Sequence, residues 1–239
     1  MGQRKRYDYV IFDADMTLIE FNEDERRAFR AAFSRAGVSV GAEAIEACRR
    51  ISDSNWAELG LNDVHLPEIQ KEYHAIYRKH VSTLFALINK LYPLGARIKE
   101  AEETFLRVLC NPSHTVDGAE EIVRFLAKDY RICIATNGLS AMQTGRLTAF
   151  TPYLYRTFIS EEMGCIKPNK AFFEIVLQSL GALPQACIMV GDSLSSDIAG
   201  ARAAGIDCVW FNRFRKPRPA GLQITAEIER LAQLKELLR

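Results

Sequence analysis

Tyr9-Val10-Ile11-Phe12-Asp13-Ala14-Asp15-Met16-Thr17 is the stretch on which the fold turns. Four apolar residues, too few for a helix and apolar on both faces, run directly into two carboxylates at i and i+2. A strand buried on both faces belongs to a parallel sheet. The carboxyl edge of such a sheet is where α/β proteins bind ligands. Aspartate is also common in ordinary turns. The stretch alone therefore leaves a simple acidic turn and a functional site both open.

Four more runs have the same texture: Ile132-Cys133-Ile134-Ala135, Thr157-Phe158-Ile159, Cys187-Ile188-Met189-Val190 and Cys208-Val209-Trp210-Phe211. Helix-like stretches lie between them over 118–128, 141–150, 170–180 and 195–204. Strand and helix in alternation predict βαβ units and a central parallel sheet. The tail, 224–239, fits either one helix or a short edge strand near Ile228 followed by a shorter helix.

From about residue 22 to 110 the texture changes and strand signal almost vanishes. Asn22 followed by Glu25 reads as a helix N-cap with a reaching-back carboxylate. Gly37 is placed to end that helix. Pro67 can open a long helix carrying Ile69, Tyr73, Ile76, Tyr77, Leu84, Leu87, Ile88 and Leu91 at near-helical spacing. The Tyr92-Pro93-Leu94-Gly95 break ends it, and a further helix is expected over 97–109. A βα connection is normally about 2–6 residues long. An all-helical insertion beside the end of the first strand is therefore a candidate lid.

Composition removes several alternatives. The 239 residues carry 48% hydrophobic and 26% charged side chains and a net charge of +1. That is ordinary globular chemistry, with chain enough for a core. A near-neutral chain is not built to grip a nucleic acid polymer. The basic stretches at 4–6 and 213–218 read as solvated surface. No apolar run approaches the ~20 residues needed to span a bilayer, and the N-terminus has no small-residue cleavage site. Cysteines 48, 110, 133, 165, 187 and 208 form no CxxC pair. They read as reduced core thiols of a cytoplasmic protein.

The strand ends carry the chemistry. The first ends in Asp13 and Asp15, the second in Thr136-Asn137-Gly138 leading into a helix. Lys167-Pro168 follows the third. Gly191-Asp192 ends the fourth, with Asp197 one helical turn onward. Clustered carboxylates repel one another, so several ionised together imply a cation. Aspartate-only oxygen ligation suits Mg²⁺, which keeps some waters and binds substrate phosphate. Lys167 and the Thr136 hydroxyl would serve phosphoryl oxygens. One aspartate can attack phosphorus, and the other can protonate the leaving oxygen and then deprotonate water.

Asp13-x-Asp15-x-Thr17, Thr136-Asn137, Lys167-Pro168 and Gly191-Asp192-x4-Asp197 resemble, in order and spacing, the four motifs of the haloacid dehalogenase-like (HAD) hydrolase superfamily. The resemblance implies a Rossmann-like core over 1–20 and 111–239 and an inserted all-helical C1 cap over 21–110. It implies Asp13 as the nucleophile forming an aspartyl-phosphate and Asp15 as the general acid/base. It implies Mg²⁺ ligation by the Asp13 carboxylate, the Asp15 main-chain carbonyl and the Asp192 carboxylate, supported by Asp197. Thr136, Asn137 and Lys167 would hold the phosphoryl group, and Lys167 would also restrain the nucleophile.

A second aspartate favours phosphatase chemistry over the namesake dehalogenation, whose halide leaving group needs no proton. Phosphonatases of the superfamily use a cap lysine. Lys71, Lys79 and Lys90 stand in the insertion, with solvated helix charge as their plain reading. Motif I with Phe21, Thr136-Asn137-Gly138 and the 159–169 segment resemble the pyrimidine 5′-nucleotidase branch, although Met16 stands where that branch usually has Glu. The expected partner is thus a small phosphate ester, a nucleoside monophosphate first, with the monomer or homo-oligomer question open. Trp56, Tyr73 and Tyr77 could stack on a base or could simply be helix core. A sugar phosphate or phosphoglycolate substrate is the alternative, and a noncatalytic binding protein a third reading.

Overall fold

The computed structural model describes residues 6–111 and 114–238. Its centre is a six-stranded sheet of β1 (Tyr9–Phe12), β2 (Arg131–Thr136), β3 (Leu154–Ile159), β4 (Cys187–Gly191), β5 (Asp207–Phe211) and β6 (Ala226–Ile228). The spatial order is β3-β2-β1-β4-β5-β6, and every pairing is parallel. The direction of winding reverses between β1 and β4, which opens a crevice at their carboxyl ends.

Strand alternation explains why these runs are apolar on both faces. Val10, Phe12, Ile132, Ile134, Ile188 and Val190 point into one core. There they meet α5 (Ala119–Leu126) and α10 (Leu234–Leu237). Ile11, Cys133, Ala135, Met189 and Trp210 point the other way. They meet α8 (Lys170–Leu180) and α9 (Ala199–Ala203). The short helices α6 (Ser140–Arg146) and α7 (Ser160–Met163) follow β2 and β3.

Between β1 and α5 lie α1 (Phe21–Ala36), α2 (Ala42–Glu58), α3 (Pro67–Leu91) and α4 (Ile98–Leu109), with a third hydrophobic cluster among them. The Phe29 and Phe105 rings sit 4.8 Å apart and join α1 to α4. Burying one such ring stabilises by about 1.5–3 kcal/mol. Gly37 ends α1 at φ 74°. Its N–H reaches Ser34 O, and that of Val38 reaches Phe33 O, closing the last turn. Pro67 opens α3 as expected. The chain leaves and rejoins the sheet side by side: Glu20 N donates to His114 O at 2.8 Å, and Asp24 Oδ1 accepts from His114 N at 3.1 Å.

Some local expectations are corrected. Asn22 does not cap α1, which begins at Phe21 after an uncapped Glu20. Asn22 Oδ1 instead accepts from Arg49 at 2.8 Å, and Glu25 is taken by Arg49 and Ser52. Tertiary partners on α2 outbid the local cap. The stretch expected as a helix over 195–204 starts as a π turn over Leu194–Ile198. The tail takes the strand-then-short-helix form. All six cysteines are free. No helix of the described residues is long and apolar enough to cross a membrane. Of the basic stretch at 4–6, positions 4 and 5 lie outside the described residues.

Candidate active site

The site assembles at the β1–β4 crevice. Asp13 leaves β1 with its N–H on Val190 O at 2.9 Å, so the first aspartate is fastened to the neighbouring strand. The next residues turn tightly: Leu18 N and Ile19 N both donate to Ala14 O, and Met16 takes a left-handed φ of 63°. Thr17 Oγ1 accepts from Asp192 N at 3.1 Å and ties this turn to the end of β4. Trp210 Nε1 holds Asp192 O from β5 at 3.0 Å.

Lys167 is the buried centre of charge, with its side chain 1% exposed. Its Nζ donates to Asp13 Oδ1 at 2.6 Å, Ala135 O at 2.7 Å and Asp197 Oδ1 at 2.7 Å. All three ammonium donors are used. Burial works against the cation, but the charges of Asp13 and then Asp197 outweigh it and hold the lysine above its ordinary value. Asn137 fixes the lysine's main chain. Its Nδ2 donates to Lys167 O at 2.9 Å, and its Oδ1 accepts from Lys167 N at 2.8 Å. The Asn137 amide thus places Lys167 while the residue also lines the cavity.

Gly191 is required by close approach. A Cβ there would lie 2.3 Å from Asp197 Oδ2. That oxygen accepts from Ser193 N at 3.0 Å. Asp13, Asp192 and Asp197 can each point one oxygen within 4.8 Å of the others. Burial first, and then the charge of Asp197, push Asp13 well above the carboxylate range against the pull of Lys167. The same two causes, in the same order, raise Asp192 to about 7. Three carboxylates share one lysine, so they resist being ionised together unless a further cation joins them. Their all-oxygen donors and mutual repulsion fit a divalent cation such as Mg²⁺.

A cavity of about 430 Å³ runs from this cluster into the helices. Asp13, Asp15, Thr136, Lys167 and Asp192 line its floor. Trp56, Tyr73, Tyr77 and His80 line the helical side. The Trp56 ring stands edge-on to Tyr77 at 5.1 Å and to His80 at 5.3 Å. Beside them is a buried polar relay. Ser52 Oγ donates to Glu25 Oε1 at 2.6 Å and faces His80 Nε2 at 3.4 Å, while Asn55 Nδ2 meets His80 Nδ1 at 2.8 Å. Burial lowers His80 to about 4, so its ring is neutral at pH 7. An accepting Nδ1 leaves the proton on Nε2, aimed at Ser52. Lys71, Lys79 and Lys90 are exposed, and none is among the cavity-lining residues.

The structure thus brings Asp13, Asp15, Thr136, Asn137, Lys167, Asp192 and Asp197 to one floor. Sequence reasoning missed Gln143 and Arg146, buried on α6 beneath Asp15, and the Glu25–Ser52–His80 relay. Gln143 and Arg146 stand at i and i+3 on the helix that follows Thr136-Asn137-Gly138, a spacing that puts both on one face.

A family model described as haloacid dehalogenase-like hydrolase matches residues 7–205. The chain is 28% identical to the pyrimidine 5′-nucleotidase PynA of Streptococcus pneumoniae, covering 93% of this chain and 91% of that protein. It is also 28% identical to the pyrimidine 5′-nucleotidase YjjG of Escherichia coli, covering 98% of each. Among solved structures, the magnesium-bound HAD-hydrolase YfnB of Bacillus subtilis superposes with a TM-score of 0.80 at 28% identity, over 98% of this chain and 100% of that one.

Proposed function

The chain belongs to the haloacid dehalogenase-like hydrolases, and from that premise we propose that it is a Mg²⁺-dependent phosphatase releasing phosphate from a nucleoside 5′-monophosphate. The observation that carries this reading is one continuous cavity, with Asp13 and Lys167 on its floor and Trp56, Tyr73 and Tyr77 on its helical side. Two relatives named pyrimidine 5′-nucleotidases, matched over nearly the whole chain, support the substrate class. We read helices α1–α4, within 21–110, as the cap and residues 1–20 and 111–239 as the catalytic core. Six free cysteines are consistent with work in the reducing cytoplasm.

Asp13 is the nucleophile. One carboxylate oxygen is held by Lys167 at 2.6 Å. The other is left to form the bond to phosphorus as the bond to the nucleoside oxygen breaks. Asp15 delivers a proton to that oxygen, then takes one from the water that attacks phosphorus, and the acyl phosphate cleaves to restore Asp13. Asp13, Asp192 and the Asp15 carbonyl would hold Mg²⁺, with Asp197 supporting; bound there, the ion supplies charge neutralisation for the phosphoryl oxygens. Lys167 and Thr136 add a cation and a hydroxyl on the same side. Enclosing the ester under the helices removes water that would otherwise screen these charges.

The test is a panel of phosphate esters assayed with and without Mg²⁺. Pyrimidine nucleoside monophosphates should lead in kcat/KM, with activity lost on chelation. A sugar phosphate or phosphoglycolate far ahead of every nucleotide would overturn the nucleotidase reading and leave the Asp13 chemistry standing. No Mg²⁺-dependent turnover of any ester would overturn the phosphatase reading itself.

A further inference from the structure

Asp15 does not stand free in the cavity. Its side chain is 31% exposed, yet both carboxylate oxygens have partners. Oδ1 lies 2.6 Å from Arg146 Nη2 in an ion pair, and Oδ2 accepts from Gln143 Nε2 at 2.8 Å. Gln143 Nε2 is also 2.8 Å from Thr136 Oγ1, so one amide group donates both to the acid/base and to the hydroxyl at the end of β2. Gln143 Oε1 accepts in turn from Arg146 Nη1 at 3.1 Å.

Arg146 is costly to bury, and its side chain is 0% exposed. A guanidinium is kept in such a place only by good partners. It lies 3.7 Å from Asp24 Oδ2 on α1, and its charge sits 5.1 Å from the centre of the Phe21 ring. Asp24 is itself fixed by His114 N and Nδ1, on the strand of chain that returns from the helices. Arg146 therefore meets residues of α1 as well as Asp15. The Arg146 charge beside Asp15 Oδ1, together with the Gln143 hydrogen bond on Oδ2, sets how that carboxylate lies.

We infer that Arg146 and Gln143 are positioning residues for Asp15: they contact its carboxylate, aim it for proton transfer, and act on the substrate only through it. The inference rests on the phosphatase reading with Asp15 as acid/base, and it is indifferent to which ester is the substrate. General acid–base catalysis contributes about 10²- to 10⁴-fold, and its benefit grows with the basicity of the leaving oxygen. A displaced acid should therefore matter most for a poor leaving group.

The experiment measures kcat/KM, which reports the steps through leaving-group release, for substituted phenyl phosphates of similar size and graded leaving-group basicity. The proteins are wild type, Gln143→Leu, Arg146→Lys and Asp15→Ala. Gln143→Leu keeps the volume of the side chain, and Arg146→Lys keeps the charge, so one folded variant is enough. Either variant should lose about tenfold or more on the most basic leaving group, and less than about twofold on the least basic. Placed in the Asp15→Ala background, Arg146→Lys should cause almost no further loss, and Gln143→Leu, which also frees the Thr136 hydroxyl, should keep no extra leaving-group dependence.

Equal losses across the series, or losses that add in full to Asp15→Ala, would reduce the pair to a structural support and overturn the proposal. If Asp15→Ala itself shows no leaving-group dependence, the acid/base assignment fails and takes the proposal with it. That outcome is recognisable because it appears without touching α6.

Discussion

Asp197 Oδ1 lies 2.7 Å from Lys167 Nζ, with both side chains 1% exposed. The second Asp197 oxygen is taken by Ser193 N, so the carboxylate is pinned from both ends. The lysine that holds the nucleophile is thus itself held by a residue from the far side of β4. This makes Asp197 the anchor of Lys167 as well as one corner of the acidic cluster. Gly191 makes room for that anchor, because a Cβ there would collide with it.

Asp197→Ala should therefore damage the fold as well as the chemistry. Removing one partner of a buried pair costs about 3–5 kcal/mol, and the remaining Asp13 contact places this case at the lower end. Urea unfolding should show a fall of that size. Gly191→Ala should go the same way, since it drives the Asp197 carboxylate out of its seat. An unchanged midpoint for both would mean that Lys167 finds its charge balance elsewhere.

Asp13→Asn should behave in the opposite way. Losing a covalent nucleophile should lower turnover by more than about a thousandfold. Stability without Mg²⁺ should hold or rise, because one of three crowded carboxylates has been neutralised. Beryllium fluoride with Mg²⁺ should bind the wild type at Asp13 as a phosphoryl mimic. Substantial turnover by purified Asp13→Asn would remove Asp13 as nucleophile.

Mg²⁺ should raise the melting temperature, and Asp192→Ala should lose most of that rise. A ligand at a hundredfold excess over Kd adds about 2.7 kcal/mol, or about 5–10 °C for a chain of this size. The effect should depend on pH in a defined direction. Asp192 is raised from 3.8 to about 7 by burial and by Asp197, so without metal the native chain holds a proton that the unfolded chain releases. Asp13 is raised in the same direction. The contribution of these two groups to metal-free stability therefore falls as pH rises between those values. Bound Mg²⁺ needs the carboxylates ionised. The gap between the Mg²⁺-loaded and chelated melting temperatures should widen from pH 6 to pH 8. A gap that is flat with pH would place the metal away from Asp192 and Asp13.

The residues legible in the sequence are those whose chemistry is local. Strands buried on both faces must be apolar throughout, so β1, β2, β4 and β5 stand out as short runs. Polar groups at their carboxyl ends then stand out against them, and Asp13, Thr136 and Asp192 are found this way. What could not be read depends on partners far along the chain. Asn22 has the form of an N-cap, but Arg49, 27 residues on, captures it. The pairing of the Asn137 amide with the main chain of Lys167, 30 residues on, is likewise invisible in the sequence. Arg146 reads as an ordinary charge on a helix, and only the meeting of α1 with α6 gives it Asp24 and buries it.

The helices should set substrate choice without doing the chemistry, and Trp56 is the residue to change. Its ring is only half-buried and lines the cavity, held edge-on by Tyr73 at 6.3 Å, Tyr77 at 5.1 Å and His80 at 5.3 Å. Tyr73 and Tyr77 are buried and form the frame, so the indole is the more exposed wall of the box. Stacking of a base on such a ring is worth about 1–3 kcal/mol, or about 5- to 150-fold in kcat/KM. Trp56→Ala should depress kcat/KM for a pyrimidine monophosphate by a factor in that range. A small aryl phosphate reaches Asp13 with fewer contacts to the helices and should lose much less. Equal losses on the two substrates would mean that Trp56 only packs the helices. The Glu25–Ser52–His80 relay gives an independent check, since its polar atoms sit beside the same rings and can meet a base edge. Ser52→Ala should change the ratio of pyrimidine to purine monophosphate turnover while leaving the small aryl ester within about twofold of wild type. A ratio unmoved by Ser52→Ala, together with equal losses in Trp56→Ala, would remove the nucleoside from the cavity and return the helices to a merely structural role.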